Sequence, residues 1–295
     1  VIPNVRHTMN LYNADELSCI VQSYDTCDDT DYVGKDFNVN IKTLTAGRMR
    51  VALEQCQAEF FGTYIEESYR AGLDVFNLTG TDLMNTIMTN VRRGITQDIG
   101  KLAWWGNTGE TSECLSSTAG FIQHLNAAGN NVAWTTGLPT VADSALDQFR
   151  VLMEGASAAL NAMNNNEKVI WCTPSNYWNY IQSVEGGDAG IAGDAAHKEL
   201  VDGRNIYYFR GVEIRPMFSW DSAIALSTVW GAIDQMIVFG AKKNFVLGTD
   251  TNDPSNELKF WYDEYREKMI IRSYFKFGTQ YVHDDLVSWS FRNST

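Results

Sequence analysis

DLMNTIMTNVRRGITQDIGKLAWWGNTG, residues 82–109, carries the longest periodic signal in the chain. Met84, Ile87, Met88, Val91, Ile95, Ile99 and Leu102 recur at three- and four-residue steps, which lines them along one side of a helix. Thr79 or Thr81 can cap it, Asp82 near its start and Lys101 near its end suit the helix dipole, and Gly106 ends the run behind Trp104-Trp105. About six turns with a single apolar stripe make a rigid rod that lies on a sheet. Ile87, Val91, Ile95 and Leu102 are read as its core face.

Upstream of the rod, residues 1–14 show neither helical nor strand period and read as an extended arm. An arm without a core of its own must lie on something else. From Leu17 to Leu53 the pattern turns strand-like. Phe37, Val39 and Ile41 alternate with Asn38, Asn40 and Lys42, and Met49, Val51 and Leu53 alternate with Arg48, Arg50 and Ala52. Thr43 to Gly47 reads as a turn. Before Phe37 lies an acidic run, Asp25 to Asp36, with five aspartates and one lysine. The segment reads as a long two-stranded projection with a solvated tip. Phe37, Val39, Ile41, Met49, Val51 and Leu53 have no evident core to enter, so they are expected to pack across a neighbouring subunit. A further helix is expected over Glu59–Gly72.

Downstream, a helix is expected from Ala142 to Met163, and Lys168–Cys172 reads as a short buried strand stopped by Thr173-Pro174. Ser175 is placed as the cap of the next helix, which carries Tyr177, Tyr180 and Ile181. Gly186–Gly193 is a glycine-rich loop. Strands follow at Ile206–Phe209 and Val212–Ile214 around Arg210-Gly211, and at Met236–Phe239. Alternation over Met269–Phe277 and Val287–Phe291 gives two long strands, read as joined through Gly278. This order specifies an α+β class, and no internal repeat is visible.

The 295 residues include 36 acidic and 23 basic side chains, a net charge of −13, and 44% are hydrophobic, which excludes disorder over most of the length. So acidic a chain repels phosphate backbones and anionic lipid unless it hides a basic patch, and none is visible in the sequence. No window reaches the roughly 18 apolar residues of a membrane span. Val1 in place of an initiator Met suggests proteolytic maturation. Cys19, Cys27, Cys56, Cys114 and Cys172 are too scattered for a zinc site or a disulfide framework. They read as buried thiols of a reducing cytoplasm, with a Cys19–Cys27 bridge, or one to a neighbouring subunit, as the exception.

Catalytic signals are missing. There is no G-x-S-x-G, H-E-x-x-H, Walker loop or dinucleotide fingerprint, and His7, His124, His197 and His283 are dispersed. His283-Asp284-Asp285 is compact but reads as a solvated loop. Asp250 to Glu257 has the content of a calcium loop, yet Ser255 replaces the required glycine and Trp261 the closing glutamate. Glu66 and Glu67 sit about 100° apart on a helix and cannot converge on one substrate. Trp171, Tyr177, Trp178 and Tyr180 suit either core packing and subunit contact or the stacking of sugars or bases. The expected catalytic, cofactor-binding and metal residues are therefore none.

The order of elements resembles the Hong Kong 97-type major capsid protein of tailed bacteriophages. The resemblance is carried by the rod ending in Trp105-Gly106-Asn107-Thr108-Gly109, by Gly120-Phe121-Ile122, and by Val169–Ser175, Phe209–Pro216 and Ile237–Gly248 followed by Lys268–Phe277. Each motif is weak alone, and their order carries the specificity. The resemblance implies an N-terminal arm (1–14), an extended loop (15–60), a peripheral domain with the spine helix (61–122), an axial domain (123–239), return strands (240–280) and a C-terminal strand (281–295). It implies a non-enzymatic subunit that assembles with itself, as pentamers and hexamers, into an icosahedral shell enclosing double-stranded DNA without sequence-specific binding or a membrane. Portal, scaffold, protease and cement proteins are the implied partners, and a virion capsid assembled in the bacterial host cytoplasm is the implied location. Lys35 and Lys42 are available for the isopeptide cross-link of some members, but no motif identifies partners for them, so that activity is not carried over. Two rival readings remain. One is an encapsulin-like compartment; the other is a secreted α+β enzyme or carbohydrate-binding module using Trp171 and Trp178.

Overall fold

The computed structural model describes residues 1–14, 39–56, 82–129, 131–138, 140–141, 143–186, 198–201, 204–250, 258–263, 265–266 and 268–293. Outside these lie Cys19, Cys27, the acidic run Asp25–Asp36, Lys35, Phe37, the helix expected over Glu59–Gly72 with Glu66 and Glu67, the loop to Gly193 beyond Gly186, His197, and residues 251–257.

The arm is not featureless. Its second half is a strand, β1 (Thr8–Ala14), paired antiparallel with β2 (Val39–Thr45) in a ribbon that runs from Thr8↔Thr45 to Ala14↔Val39. The alternation of Met9 and Leu11 with Asn10 and Tyr12 is too short to stand out as a period, and only the pairing with β2 makes it a strand. The expected turn at Thr43–Gly47 is absent. β2 runs through Thr45, and after Ala46 the chain enters β3 (Gly47–Cys56) in a different sheet.

The long helix α1 spans Asp82–Trp105, and the short α2, Phe121–Ala128, follows it. The single helix expected over Ala142–Met163 is two, α3 (Ser144–Glu154) and α4 (Ala158–Ala162). Gly155 closes the first, and the Ser157 hydroxyl accepts the Leu160 amide at 3.0 Å to start the second. Serine competes for backbone hydrogen bonds and favours such a start over a helix interior. β4 (Lys168–Cys172) leads into α5 (Pro174–Gly186). That helix begins at Pro174, not behind a Ser175 cap, because proline suits the first helical position. The remaining elements are β5 (Lys198–Val201), β6 (Arg204–Phe209), β7 (Val212–Pro216), α6 (Ser219–Leu226), β8 (Ile233–Ala241), β9 (Phe245–Thr249), β10 (Lys259–Asp263), β11 (Lys268–Tyr281) and β12 (Val287–Asn293).

Two larger sheets organise these pieces. One has the order β12-β8-β4-β7-β6-β5 and is antiparallel except for β4 beside β7. The other has the order β10-β11-β3, with β9 also on β11. β11 and β12 are therefore not a pair joined through Gly278: they belong to different sheets, and Gly278 lies inside β11. A Cβ there would stand 2.2 Å from the Thr45 carbonyl, so only glycine lets the ribbon cross the strand this closely.

The main core lies between α1, α2, α6 and the strands β8, β11 and β12. Trp104 meets Phe121, Trp171 and Trp220 edge-on or tilted, with ring centroids 5.1–5.2 Å apart. The motif glycines have a packing role here. The Gly120 amide donates to the Gly106 carbonyl at 2.7 Å, and a Cβ on either residue would collide with backbone. A second core, around Phe149, Leu152, Tyr180, Phe209 and Phe239, joins α3–α5 to the six-stranded sheet. A third and smaller one, Val5, Leu11, Leu44 and Ala46, seats the base of the ribbon.

Along α1, Ile95 and Leu102 are buried, whereas Ile87 and Val91 are half-buried. Gly94 and Gly100 lie within the helix, and a Cβ on either meets nothing within 4 Å. Glycine costs a helix interior about 1 kcal/mol relative to alanine. Gly94→Ala should therefore raise stability by about 0.5–1 kcal/mol, read as a higher denaturant midpoint at unchanged slope.

Candidate assembly surfaces

The ribbon has two unlike faces. Directly paired residues share a face, so Met9/Leu44 and Leu11/Lys42 point one way and Tyr12/Ile41 and Ala14/Val39 the other. The first face is held by the chain itself. Leu11 and Leu44 are buried, Lys42 Nζ donates to Asp284 Oδ1 at 2.6 Å and lies 3.6 Å over the Tyr281 ring, and Tyr281 donates to the same Oδ1 at 2.6 Å. Asp284 is thus an anchor for the ribbon, not a residue of a solvated loop. Burial pushes its carboxyl up, but the hydrogen bonds from Lys42 and Tyr281 outweigh this and hold it below its ordinary value. The second face is uncovered, with Tyr12 67%, Ile41 57% and Val39 51% exposed. Such a row on a two-stranded ribbon has no core within the described residues to enter.

Met49, Val51 and Leu53 do not belong to that surface. On β3 they face the same way as Phe275, Ser273 and Ile271 of β11. Met49 joins the main core with Ile95 and Phe275, Val51 packs against it, and Leu53 lies at the rim of a cavity shared with Val91, Ile95 and Ile99. The expectation that all six alternating residues reach a neighbour is corrected for Met49 and Val51. β3 pairs with β11, and that pairing carries their face under α1. Alternation alone cannot tell which sheet a strand joins.

The other face of the same sheet holds what the linear sequence hid. Arg48 and Arg50 on β3 stand opposite Lys276 and Tyr274 on β11, and Arg272 stands opposite Lys259 on β10. Arg48, Arg50, Lys259 and Arg272 are exposed, and among the described residues no carboxylate pairs with them. Arg272 also lies 5.3 Å from the Trp261 ring centre. Glu54 and Asp263, at the far end of the face, are taken by Arg266 and Lys268. A basic patch therefore exists on this acidic chain. It escaped notice because its members come from residues 48–50, 259 and 272–276, and only strand pairing brings them together.

The loop that ends α1 is fixed by a buried carboxylate. Glu110 accepts from the amides of Thr228 (2.8 Å) and Val229 (3.0 Å), from the Thr228 hydroxyl (2.6 Å) and from the Ser227 hydroxyl. Burial pushes this carboxyl up, but the four donors together hold it below its ordinary value. A lowered folded value means that the stabilisation is full above the unfolded value of about 4.5 and fades as pH falls through the folded one. Glu110→Gln should cost about 1–3 kcal/mol at pH 7, and the gap between the two proteins should narrow below about pH 4.5 in a melting series.

The aromatic and cysteine residues singled out in the sequence are spread over the fold. Tyr180 is buried in the second core, Trp171 packs on Trp104 and Phe245, and Trp178 is exposed on α5 beside Tyr177. Cys172 is buried and its thiol is pushed well up; Cys114 is exposed. Among the described residues no three His, Cys, Asp or Glu side chains are placed to share a metal ion, and no helix is long and apolar enough to cross a membrane.

No protein-family model and no curated sequence matches the chain. Solved structures do match in shape. The capsid of the Myoviridae phage XM1 has a chain that superposes with a TM-score of 0.61 at 12% identity, over 99% of this chain and 88% of its own length. A chain of mycobacterium phage Bobi gives 0.59 at 11%, over 100% and 89%. A chain of the SrpI encapsulin complex of Synechococcus elongatus gives 0.56 at 11%, over 99% and 86%. At such identities the likeness establishes the fold. The chain has the α+β Hong Kong 97-type capsid architecture, and the ribbon, long helix and two sheets all fall within the matched length.

Proposed function

We propose that this chain is the major capsid protein of a tailed bacteriophage, a subunit that assembles with copies of itself into a closed shell around double-stranded DNA. The carrying observation is the ribbon's uncovered face, Tyr12, Ile41 and Val39, on a fold shared with phage shells. A subunit with an appendage that cannot bury itself is completed by its neighbours. The reading extends to pentamers and hexamers as the assembly units. It also extends to portal, scaffold, protease and cement proteins as partners, and to the virion, assembled in the host cytoplasm, as location. It assigns no catalytic role, no cofactor and no metal.

The encapsulin likeness keeps a cargo compartment as the second reading, because that fold also closes into shells. A secreted enzyme or carbohydrate-binding module loses ground. Trp171, one of its two stacking residues, packs on Trp104 and Phe245, and only Trp178 stands exposed. The test is sedimentation of the expressed chain with a chelator present. Particles of very many copies are expected, and a species of one to a few chains would overturn the proposal.

A further inference from the structure

β3 is an edge strand. Among the described residues it pairs with β11 on one side and with nothing on the other, so every second residue along it turns its amide and carbonyl outward. Beside it lies a groove of about 690 Å³, lined by residues 49–53 of β3 and by Val91, Gly94, Ile95 and Ile99 of α1. Consecutive strand residues point to opposite faces, so a cavity that touches five in a row follows the strand's edge. Val51, Val91 and Ile99 are half-buried and Leu53 is 45% exposed, which makes the walls apolar.

Gly94 is the unusual member of this lining. Glycine weakens a helix interior, and a Cβ at Gly94 meets nothing within 4 Å, so no contact in the described chain requires glycine there. Its effect is room: where α1 lines the groove, an incoming backbone meets no side chain. An outward row of amides and carbonyls specifies an extended polypeptide, and apolar walls specify apolar side chains at alternate residues. The charged lining adds a sign. Asp98 and Glu113 are exposed on it, Asp98 is met at 3.6 Å by Lys101 of its own helix, and among the described residues no cation pairs with Glu113. Arg50, the one cation of the lining, belongs to the opposite face of the sheet. A basic residue on the incoming segment suits that rim.

The described part of this chain holds no free segment of that kind. Ile2 and Val5 of the arm are bonded to β9, and Lys42, the one base of the ribbon, is held by Asp284. We infer that the groove between β3 and α1 receives an extended segment of a different protein, which adds to β3 as a further strand. That segment sets apolar side chains on Val51, Leu53, Val91 and Ile99, and it carries a basic residue to Asp98 and Glu113. The surface is separate from the ribbon's uncovered face, and the inference does not depend on the shell reading.

The test uses the full chain and two labelled peptides, Thr-Val-Thr-Val-Thr-Val-Lys and Lys-Val-Thr-Val-Thr-Val-Thr, because the direction of the added strand is open. Binding is read by fluorescence anisotropy, and at least one peptide should bind. That peptide is then made in two N-methylated forms, one methylated at every valine and one at every threonine. A strand turns only alternate amides to its neighbour, so one form should bind at least about tenfold more weakly and the other should keep its affinity. Gly94→Leu fills the groove and should weaken binding at least about tenfold without lowering the melting temperature. Leu53→Lys, at the exposed rim, serves in its place if the helix variant melts early. Glu113→Lys should weaken binding about threefold to tenfold, and less at high salt. Saturating peptide should slow hydrogen exchange at alternate amides between Gly47 and Glu54.

Failure of both peptides to bind overturns the inference. Equal binding by the two methylated forms, undiminished binding to the groove variants, or protection that falls outside β3 does the same, because each would mean that no strand is added there. A bound fraction that falls as the chain's own concentration rises would assign the groove to a second copy and would also overturn it. None of these readings requires a shell, so the proposed assembly stands or falls separately.

Discussion

Ile95→Asp should remove most of the soluble protein. Ile95 is 7% exposed and shares its core with Met49, Leu102 and Phe275, so the new carboxylate would be buried among apolar side chains. Burying an unpaired charge costs about 3–5 kcal/mol, a large share of the 5–15 kcal/mol that holds an ordinary domain together. Gln97→Asp places the same side chain on the exposed side of the helix and should change stability by about 0.5 kcal/mol. The pair fixes the phase of the helix. Equal yields and equal melting for the two variants would mean that the apolar stripe does not face the core.

Replacing Tyr12, Val39 and Ile41 together by serine should leave the monomer folded and stop it from assembling. All three are more than half exposed, so the isolated chain loses little beyond the Tyr12–Ile41 cross-strand contact, about 0.2–1 kcal/mol. Between copies the loss is larger. Covering the exposed part of each side chain contributes about 1 kcal/mol, so about 3 kcal/mol disappears from every contact. That is about a hundredfold in each association constant, repeated at every neighbour around a shell. Near-wild-type melting with no particles in a sedimentation run is the expected pair of results. Normal particles from the triple variant would remove the ribbon face from the interface.

Local pattern and tertiary pairing divide what can be read from this chain. The long helix was legible in full, from Asp82 to the glycine behind Trp105, because a sustained 3.6-residue period needs no partner to be recognised. β4 was equally plain: Lys168–Cys172 is a short apolar run ended by a proline. Elements defined by a distant partner were harder. β1 has too few apolar residues to announce itself without β2, and β3 could not be assigned to its sheet until β11 was found beside it. Gly278 looked like a break because glycine usually marks one, whereas here it makes room for Thr45 to cross.

The candidate surfaces divide the same way. Val39 and Ile41 were legible as apolar residues without an evident core, and among the described residues both are more than half exposed. Tyr12, their companion, was missed along with its strand. Met49 and Val51 show the same alternation and yet serve the interior. The cationic face left no trace in composition, because five positive side chains on three strands are diluted in a chain with 36 acidic residues. Its signal was present only as alternation, Arg48-Met49-Arg50 and Arg272-Ser273-Tyr274, once those strands were known to be neighbours.

An electron cryomicroscopy map of the purified particle decides whether the ribbon of the proposed shell subunit crosses to a neighbour. A closed icosahedral shell is expected, in which strands Thr8–Ala14 and Val39–Thr45 of each copy lie with Tyr12, Val39 and Ile41 against an adjacent copy. A purified protein that stays monomeric, or a shell whose ribbon face is turned to solvent or folded back on its own subunit, would contradict it.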